Sequence, residues 1–95
     1  QFRAASVAFE ALINSYPDSE RSDEYKFMSI RSSYRFAELS VMEKQTERFE
    51  KVVTDCNDFM DRFPESNFAK QVQQYLTLSQ NNLKNIANEP SKTST

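Results

Sequence analysis

The sequence contains no glycine, no histidine and no tryptophan, and it has a single cysteine among 95 residues. Without glycine, the chain lacks the residue needed for most tight hairpin turns, phosphate-binding loops and dinucleotide-binding motifs. Without histidine and with one thiol, it cannot form a Ser-His-Asp triad, a Cys-His pair, a His-ligated zinc site or an internal disulfide. We therefore expect a protein that is not an enzyme and that binds no cofactor or metal.

An excess of one charge is also missing. The chain has 12 basic and 14 acidic residues, a net charge of −2, so nucleic acid is not an expected partner. No apolar run approaches the roughly 18 residues of a membrane-spanning helix, and no signal peptide pattern is present. The sequence begins inside an apolar pattern without an initiator Met, so we expect an upstream part to lie outside it.

Two prolines mark an internal repeat. Pro17 and Pro64 are 47 residues apart, and each is followed by an acidic residue and a serine. A shift of 47 residues pairs apolar positions throughout: Phe2 with Phe49, Ala5 with Val52, Phe9 with Cys56, Leu12 with Phe59, Ile13 with Met60 and Tyr16 with Phe63. This spacing follows one face of an α-helix. We predict two equivalent amphipathic helices that end at Tyr16 and Phe63, because the residue before proline disfavours the helical conformation.

Two more helices are predicted between and after these. Residues 22–40 carry two apolar faces, which is typical of a helix between two neighbours. The first face holds Phe27, Ile30, Tyr34, Ala37 and Val41, and the second holds Tyr25, Met28, Phe36 and Leu39. We place a turn near Ser40 to Lys44 and a last helix over residues 66–87, with its apolar face on Phe68, Val72, Tyr75, Leu76, Leu83 and Ile86. Candidate N-caps are Ser19, Ser22 and Ser66.

The predicted fold is all-α, with about four antiparallel helices arranged as helix pairs of a repeat protein, an α-solenoid fragment. Residues 1–88 form the helical domain in this prediction. The polar residues 89–95 are expected to form a disordered tail.

The helices resemble tetratricopeptide repeats. The first-helix signature of that family resembles Phe27, Ile30 and Tyr34, and its second-helix signature resembles Ala5, Phe9, Leu12 and Pro17. Val52, Cys56, Phe59 and Pro64 repeat the second signature in weaker form. Arg31 stands where that family usually has glycine, and a spacing of 47 instead of about 34 residues implies longer helices.

Three segments together resemble one family of long-helix repeat proteins. These are residues 12–19, residues 37–49 and residues 58–66. They look like the C-terminal part of the outer-membrane assembly lipoproteins called BamD, in the form found in Bacteroides-like bacteria. The resemblance implies a non-catalytic scaffold of the β-barrel assembly machinery at the periplasmic face of the outer membrane. It also implies contact with periplasmic domains of the barrel subunit, and membrane attachment only through an N-terminal lipidated Cys that is not in this sequence.

Several residues that could carry chemistry have simpler interpretations. Cys56 lies on the apolar face at the position equivalent to Phe9, which favours buried packing over a reactive thiol. Asp55, Asp58 and Asp61 recur every three residues, which favours a solvated polar face over a cation site. The aromatic residues lie at core spacing, which favours packing over base stacking.

One charged stretch is the candidate partner-binding site. It consists of Arg35, Glu38, Glu43, Lys44, Glu47 and Arg48. Like charges four residues apart, Glu43 with Glu47 and Lys44 with Arg48, are unfavourable in an isolated helix, so we expect another interaction to hold this segment. An ordinary solvated loop is the alternative. A dimer through exposed terminal helices is also predicted, because a short repeat array leaves its first helix uncovered.

Two other functions stay open from the sequence alone. One is a generic tetratricopeptide-repeat adaptor for a cytoplasmic or secretion complex. The other is a helical piece of a larger enzyme, such as a glycan-processing protein, whose catalytic residues would lie outside this sequence.

Overall fold

The computed structural model describes residues 2–15 and 20–88, and it contains four α-helices in this part of the chain. Helix α1 is Phe2–Ser15, α2 is Ser22–Glu38, α3 is Met42–Arg62 and α4 is Ala69–Ala87. The all-α prediction with four helices is confirmed. The predicted helix end at Tyr16, the candidate N-cap Ser19 and the predicted tail over residues 89–95 lie outside the described residues.

The end of α3 confirms the prediction made from Pro64. The helix stops at Arg62, and Phe63 leaves the helical conformation while its backbone N–H donates to the Phe59 carbonyl at 2.7 Å. No residue in the described ranges has a positive φ angle, so these helix ends form without the left-handed residue that glycine usually supplies.

The start of α4 differs from the prediction. Ser66 is not its N-cap, because the helix begins three residues later at Ala69. Ser66 lies instead in the preceding turn, where its Oγ accepts a hydrogen bond from Phe68 N at 3.1 Å and donates to the Asp23 carboxylate at 2.6 Å. Ser22 is the first residue of α2 and Arg21 is its N-cap. Ser66 therefore connects this turn to α2 instead of capping α4.

Consecutive helices pack against each other in antiparallel pairs, and α2 also contacts α4. Helices α1 and α3 therefore lie on one side of the molecule, with α2 and α4 on the other. Aromatic rings join α2 to α4 and its N-cap: Phe27 stacks on the N-cap residue Phe68 with ring centroids 4.8 Å apart, and the ring centroid of Tyr34 lies 5.2 Å from that of Tyr75. The molecule is elongated, with principal extents of 50 × 25 × 14 Å.

The core lies between α2, α3 and α4. Its buried members are Phe27, Ile30, Tyr34, Ala37, Phe49, Val52, Cys56, Phe59, Val72 and Leu76. The predicted apolar faces of α3 and α4 are confirmed, with Met60, Phe68, Tyr75, Leu83 and Ile86 partly buried around this core. Burial of this apolar surface is the main favourable contribution to folding.

The predicted apolar face of α2 is wrong at its end. Val41 and Leu39 were expected on apolar faces of a helix reaching residue 40, but α2 ends at Glu38 and both side chains are exposed. Beyond the last helical residue the backbone no longer follows the 100° rotation on which the pattern depends, so the helical phase stops predicting burial there.

The equivalence between α1 and α3 is only partly realised in packing. Phe49 and Phe59 of α3 are fully buried, whereas their counterparts Phe2 and Leu12 in α1 are 39% and 36% exposed. The reason is that α3 packs its backbone closely against both α2 and α4, whereas among the described helices α1 packs closely against α2 alone. The pairing of Leu12 with Phe59 on an apolar helix face predicts that Leu12 is buried in the core, and this prediction is wrong for the chain by itself.

The contact between α1 and α2 is polar at its centre. Ser6 Oγ lies 2.7 Å from Ser33 Oγ and 3.2 Å from Ser29 Oγ, and all three serines are buried. Small side chains allow the two helices to approach closely, and mutual hydrogen bonds offset the cost of burying the hydroxyls.

Candidate protein-binding surface

The six charged residues predicted to bind a partner lie at one end of the molecule, where α2 passes into α3. We call this group, Arg35, Glu38, Glu43, Lys44, Glu47 and Arg48, the turn surface. Arg35 and Glu38 lie in the last turn of α2, and Arg35 Nη1 donates to Glu38 Oε1 at 3.1 Å. Both side chains are exposed, so this ion pair contributes little to stability.

The first turns of α3 supply the other exposed charges. Glu43, Lys44 and Glu47 all face solvent, and Lys44 Nζ lies 3.8 Å from Glu47 Oε1. The sequence places like charges four residues apart, Glu43 with Glu47 and Lys44 with Arg48. In the structure Lys44 instead pairs with the opposite charge of Glu47, three residues on. This ion pair offsets part of the expected repulsion.

Arg48 differs from the other five residues because its side chain is half-buried. Its guanidinium lies 4.2 Å from the centre of the Phe36 ring, a cation–π contact. Arg48 Nη1 also donates to Ser40 Oγ at 2.6 Å, and Ser40 Oγ donates to the Phe36 carbonyl at 2.6 Å. Arg48 therefore fixes the turn between α2 and α3, a structural role that the sequence did not indicate.

Gln45 is a further residue of this turn, with a role that the sequence pattern does not indicate. Its Nε2 donates to the carbonyls of Ala37 and Glu38, each at 3.3 Å. The last carbonyls of a helix lack the usual partner four residues on, and Gln45 adds a donor to them beside the Ser40 N–H, which donates to the Ala37 carbonyl at 3.2 Å. The signal in the sequence for this role is an amide side chain a few residues after the predicted end of a helix, because it can donate to the last carbonyls of that helix.

A groove of about 440 Å³ begins beside the turn surface and runs between α1, α2 and α3. Two residues of the turn surface, Glu47 and Arg48, line the groove. Its other lining residues are Arg3, Ser6, Val7, Glu10, Ser33, Phe36 and Lys51. Lys51 donates to Asp55 Oδ2 at 2.7 Å and to Glu10 Oε1 at 3.0 Å, and so links α1 to α3. Burial alone would lower the pKa of Lys51, but hydrogen bonds to these carboxylates outweigh that effect and raise it.

Two of the three aspartates of α3, Asp55 and Asp58, form ion pairs. Besides Lys51, Asp55 has Lys26 Nζ at 3.9 Å, and Asp58 has the same ammonium at 3.4 Å. The prediction of a solvated face holds for the exposed Asp61 and is wrong for Asp55, whose side chain is largely buried. The periodicity could not show that Lys26 of α2 would lie against α3.

Cys56 is fully buried in the core, as its position on the apolar face predicted. Burial, followed by the nearby charge of Asp55, raises the pKa of its thiol to about 12, which keeps it protonated and unreactive at neutral pH. Within residues 2–15 and 20–88, no three His, Cys, Asp or Glu side chains lie close enough together to hold a metal ion.

Comparison with known proteins gives a family for the whole helical region. Residues 1–88 match YfiO, which is described as an outer membrane lipoprotein. A search of curated proteins finds no match. Among the helices of the described residues, none is both long enough and apolar enough to cross a membrane. Since the match spans all four helices and both prolines of the repeat, this chain belongs to the YfiO family of outer membrane lipoproteins.

Proposed function

We propose that this protein is a non-catalytic scaffold of the machinery that assembles β-barrel proteins in the outer membrane. The family match over residues 1–88 is the observation that carries this proposal. An elongated array of stacked helices supports it, because such arrays present long surfaces to protein partners.

In this proposal the chain is the C-terminal, tetratricopeptide-like part of a BamD lipoprotein of the Bacteroides-like form. A lipid anchor at the N-terminus of the full protein holds it to the periplasmic face of the outer membrane. Its partners are the periplasmic domains of the barrel subunit. A generic tetratricopeptide adaptor for another complex is the alternative, and the identity of the bound protein separates the two.

The turn surface is the part of the molecule that we assign to this contact. Five of its six residues are exposed charges of both signs on one end of the helix stack. Arg48 and Gln45 tie the backbone of this turn to α2 by hydrogen bonds, and restraint of this kind lowers the entropy lost when a partner binds. Exposed charges of this kind steer association and set orientation more than they add raw affinity.

The test replaces Arg35 and Lys44 by Glu and measures binding of the purified periplasmic domains of the barrel subunit by calorimetry. We expect the double variant to bind roughly tenfold more weakly, because two attractive contacts become repulsive. Arg48 is left unchanged, since its replacement would disturb the turn itself. Lys70→Glu is the matched control, an exposed lysine at the start of α4, at the other end of the stack.

If the Arg35→Glu, Lys44→Glu variant bound as tightly as the unaltered protein, with unchanged helicity, the turn surface would not be part of the contact. Absence of binding by the unaltered protein would overturn the assignment to β-barrel assembly and favour the adaptor alternative.

A further inference from the structure

Three apolar side chains project into solvent where α2 passes into α3, between the α2 and α3 residues of the turn surface along the chain. Leu39 is 75% exposed, Val41 64% and Met42 52%, and they occupy three of four consecutive positions. The sequence pattern had assigned Leu39 and Val41 to apolar helix faces. We call Leu39, Val41 and Met42 the apolar tip.

The hydrogen bonds that hold the turn together do not use the side chains of the apolar tip. The turn is fixed by the hydrogen bonds from Arg48 to Ser40, from Ser40 to the Phe36 carbonyl, and from Gln45 to two carbonyls of α2. None of these bonds involves a side chain of the tip. The three apolar groups are therefore presented on a backbone that is already ordered, and binding there costs little further conformational entropy.

Valine at position 41 is also unfavourable for the stability of α3. It is the N-cap residue of α3, with φ −63° and ψ 153°, and no side chain caps the helix there. Serine, threonine, aspartate and asparagine are preferred at an N-cap because they accept a hydrogen bond from the first turn. Helix stability would thus favour a polar residue at 41, so exposed valine at this site needs a different physical reason.

The charges around the tip favour a protein over a lipid surface as its partner. They form ion pairs of opposite sign, Arg35 with Glu38 and Lys44 with Glu47, and they include the additional carboxylate of Glu43. An anionic membrane surface would repel these carboxylates, and the tip lacks the aromatic side chains that favour a membrane interface. An apolar centre within a rim of mixed charge is the arrangement found in protein–protein interfaces.

We infer that the apolar tip is the hydrophobic centre of the protein contact, inserted into an apolar depression on the partner whose border carries charges of both signs. This inference rests on the proposed function, since it concerns the same surface. It adds that Leu39, Val41 and Met42 supply most of the affinity, while the surrounding charges supply orientation.

Two variants test the inference. In the first, Val41→Ser adds a capping hydroxyl and removes an apolar contact. We expect its melting temperature to rise by roughly 2–6 °C while its binding of the periplasmic domains of the barrel subunit weakens. A residue with a merely structural role would not change stability and binding in opposite directions.

The second variant combines Leu39→Ser, Val41→Ser and Met42→Gln, and we expect roughly a 10- to 100-fold loss of affinity from the lost apolar burial. Leu78→Ser is the control, because Leu78 is a similarly exposed apolar residue on α4. Affinity within twofold of the unaltered protein for the triple variant would overturn the inference and leave the proposed function standing.

Cross-linking in cells separates failure of the inference from failure of the proposed function. The full-length protein carries a photoreactive benzoylphenylalanine in place of Met42, with the same replacement at Leu78 as control. An adduct with the barrel subunit at 42 alone is the expected result. Adducts with lipid, or no adduct, overturn the inference. The adduct could instead contain a different identified protein that the triple variant no longer binds. That result would support the apolar tip as the centre of a protein contact and would overturn the proposed function.

Discussion

Cys56 shows how burial, the largest of the effects acting on it, decides the chemistry of a side chain. It is fully enclosed in the core, and burial raises the pKa of its thiol from 9.0 to about 12. In the unfolded chain the thiol is in water and ionises near its ordinary pKa. Between pH 9 and pH 12 the folded state therefore retains a proton that the unfolded state has released, and folding becomes less favourable as the pH rises.

This difference predicts a pH dependence that a substitution can isolate. Between pH 9.5 and 11, we expect the free energy of unfolding to fall by up to about 1.4 kcal/mol more per pH unit in the natural chain than in Cys56→Ala. Below pH 8 the two curves should run parallel, since the thiol is then protonated in both states. Urea unfolding at several pH values measures this, and equal slopes above pH 9.5 would contradict the burial argument.

At the level of elements, the turn between α2 and α3 is held by side chains from both helices. Ser40 is central, because it accepts a hydrogen bond from Arg48 at 2.6 Å and donates one to the Phe36 carbonyl at 2.6 Å. Its loss would leave a half-buried guanidinium and a helix-end carbonyl with fewer partners. The polar network of the turn is therefore a determinant of stability as well as of the geometry of the turn surface.

We expect Ser40→Ala to lower the free energy of unfolding by about 1–2 kcal/mol, in the range of a lost hydrogen bond to a charged group. Thr54→Ala is the control, an exposed residue of α3 whose loss should change stability by about 0.5 kcal/mol or less. Urea unfolding of both variants gives the comparison. If Ser40→Ala were as stable as Thr54→Ala, the network could not be what fixes the turn.

At the level of the whole molecule, the uncovered face of α1 is the main irregularity of the repeat. Phe2 and Leu12 remain more than a third exposed, and with Ala5 and Phe9 they occupy positions whose counterparts in α3 are fully buried. In α3 those positions lie in the core that α2, α3 and α4 form together, whereas α1 packs against α2 alone among the described helices. We propose that two copies of the isolated chain pair through this face, so that each α1 covers the other.

A dimer of this kind should appear in sedimentation equilibrium of the isolated chain at concentrations of tens of micromolar. We expect the double variant Phe2→Ser, Leu12→Ser to weaken the dimer by roughly tenfold or more, because the apolar surface that would be buried is reduced. Leu78→Ser, on the outer side of α4, should have no effect. A chain that stays monomeric over this concentration range would contradict the proposal.

The sequence by itself determined the features that depend on local geometry. The 47-residue repeat, the helical spacing of apolar residues and Pro64 together predicted four helices, the end of α3 and the buried faces of α3 and α4. These predictions succeed because the period of a helix and the steric effect of proline act over a few residues.

The tertiary structure alone decided which polar and apolar groups find partners. Arg48 binds Ser40 and lies over Phe36, Asp55 pairs with Lys26 of another helix, and α1 keeps an exposed apolar face. The same helical pattern cannot distinguish these outcomes, because burial and ion pairing depend on which element packs alongside. The apolar tip is exposed for this reason: α2 ends at Glu38, and no other described helix lies over the residues that follow it.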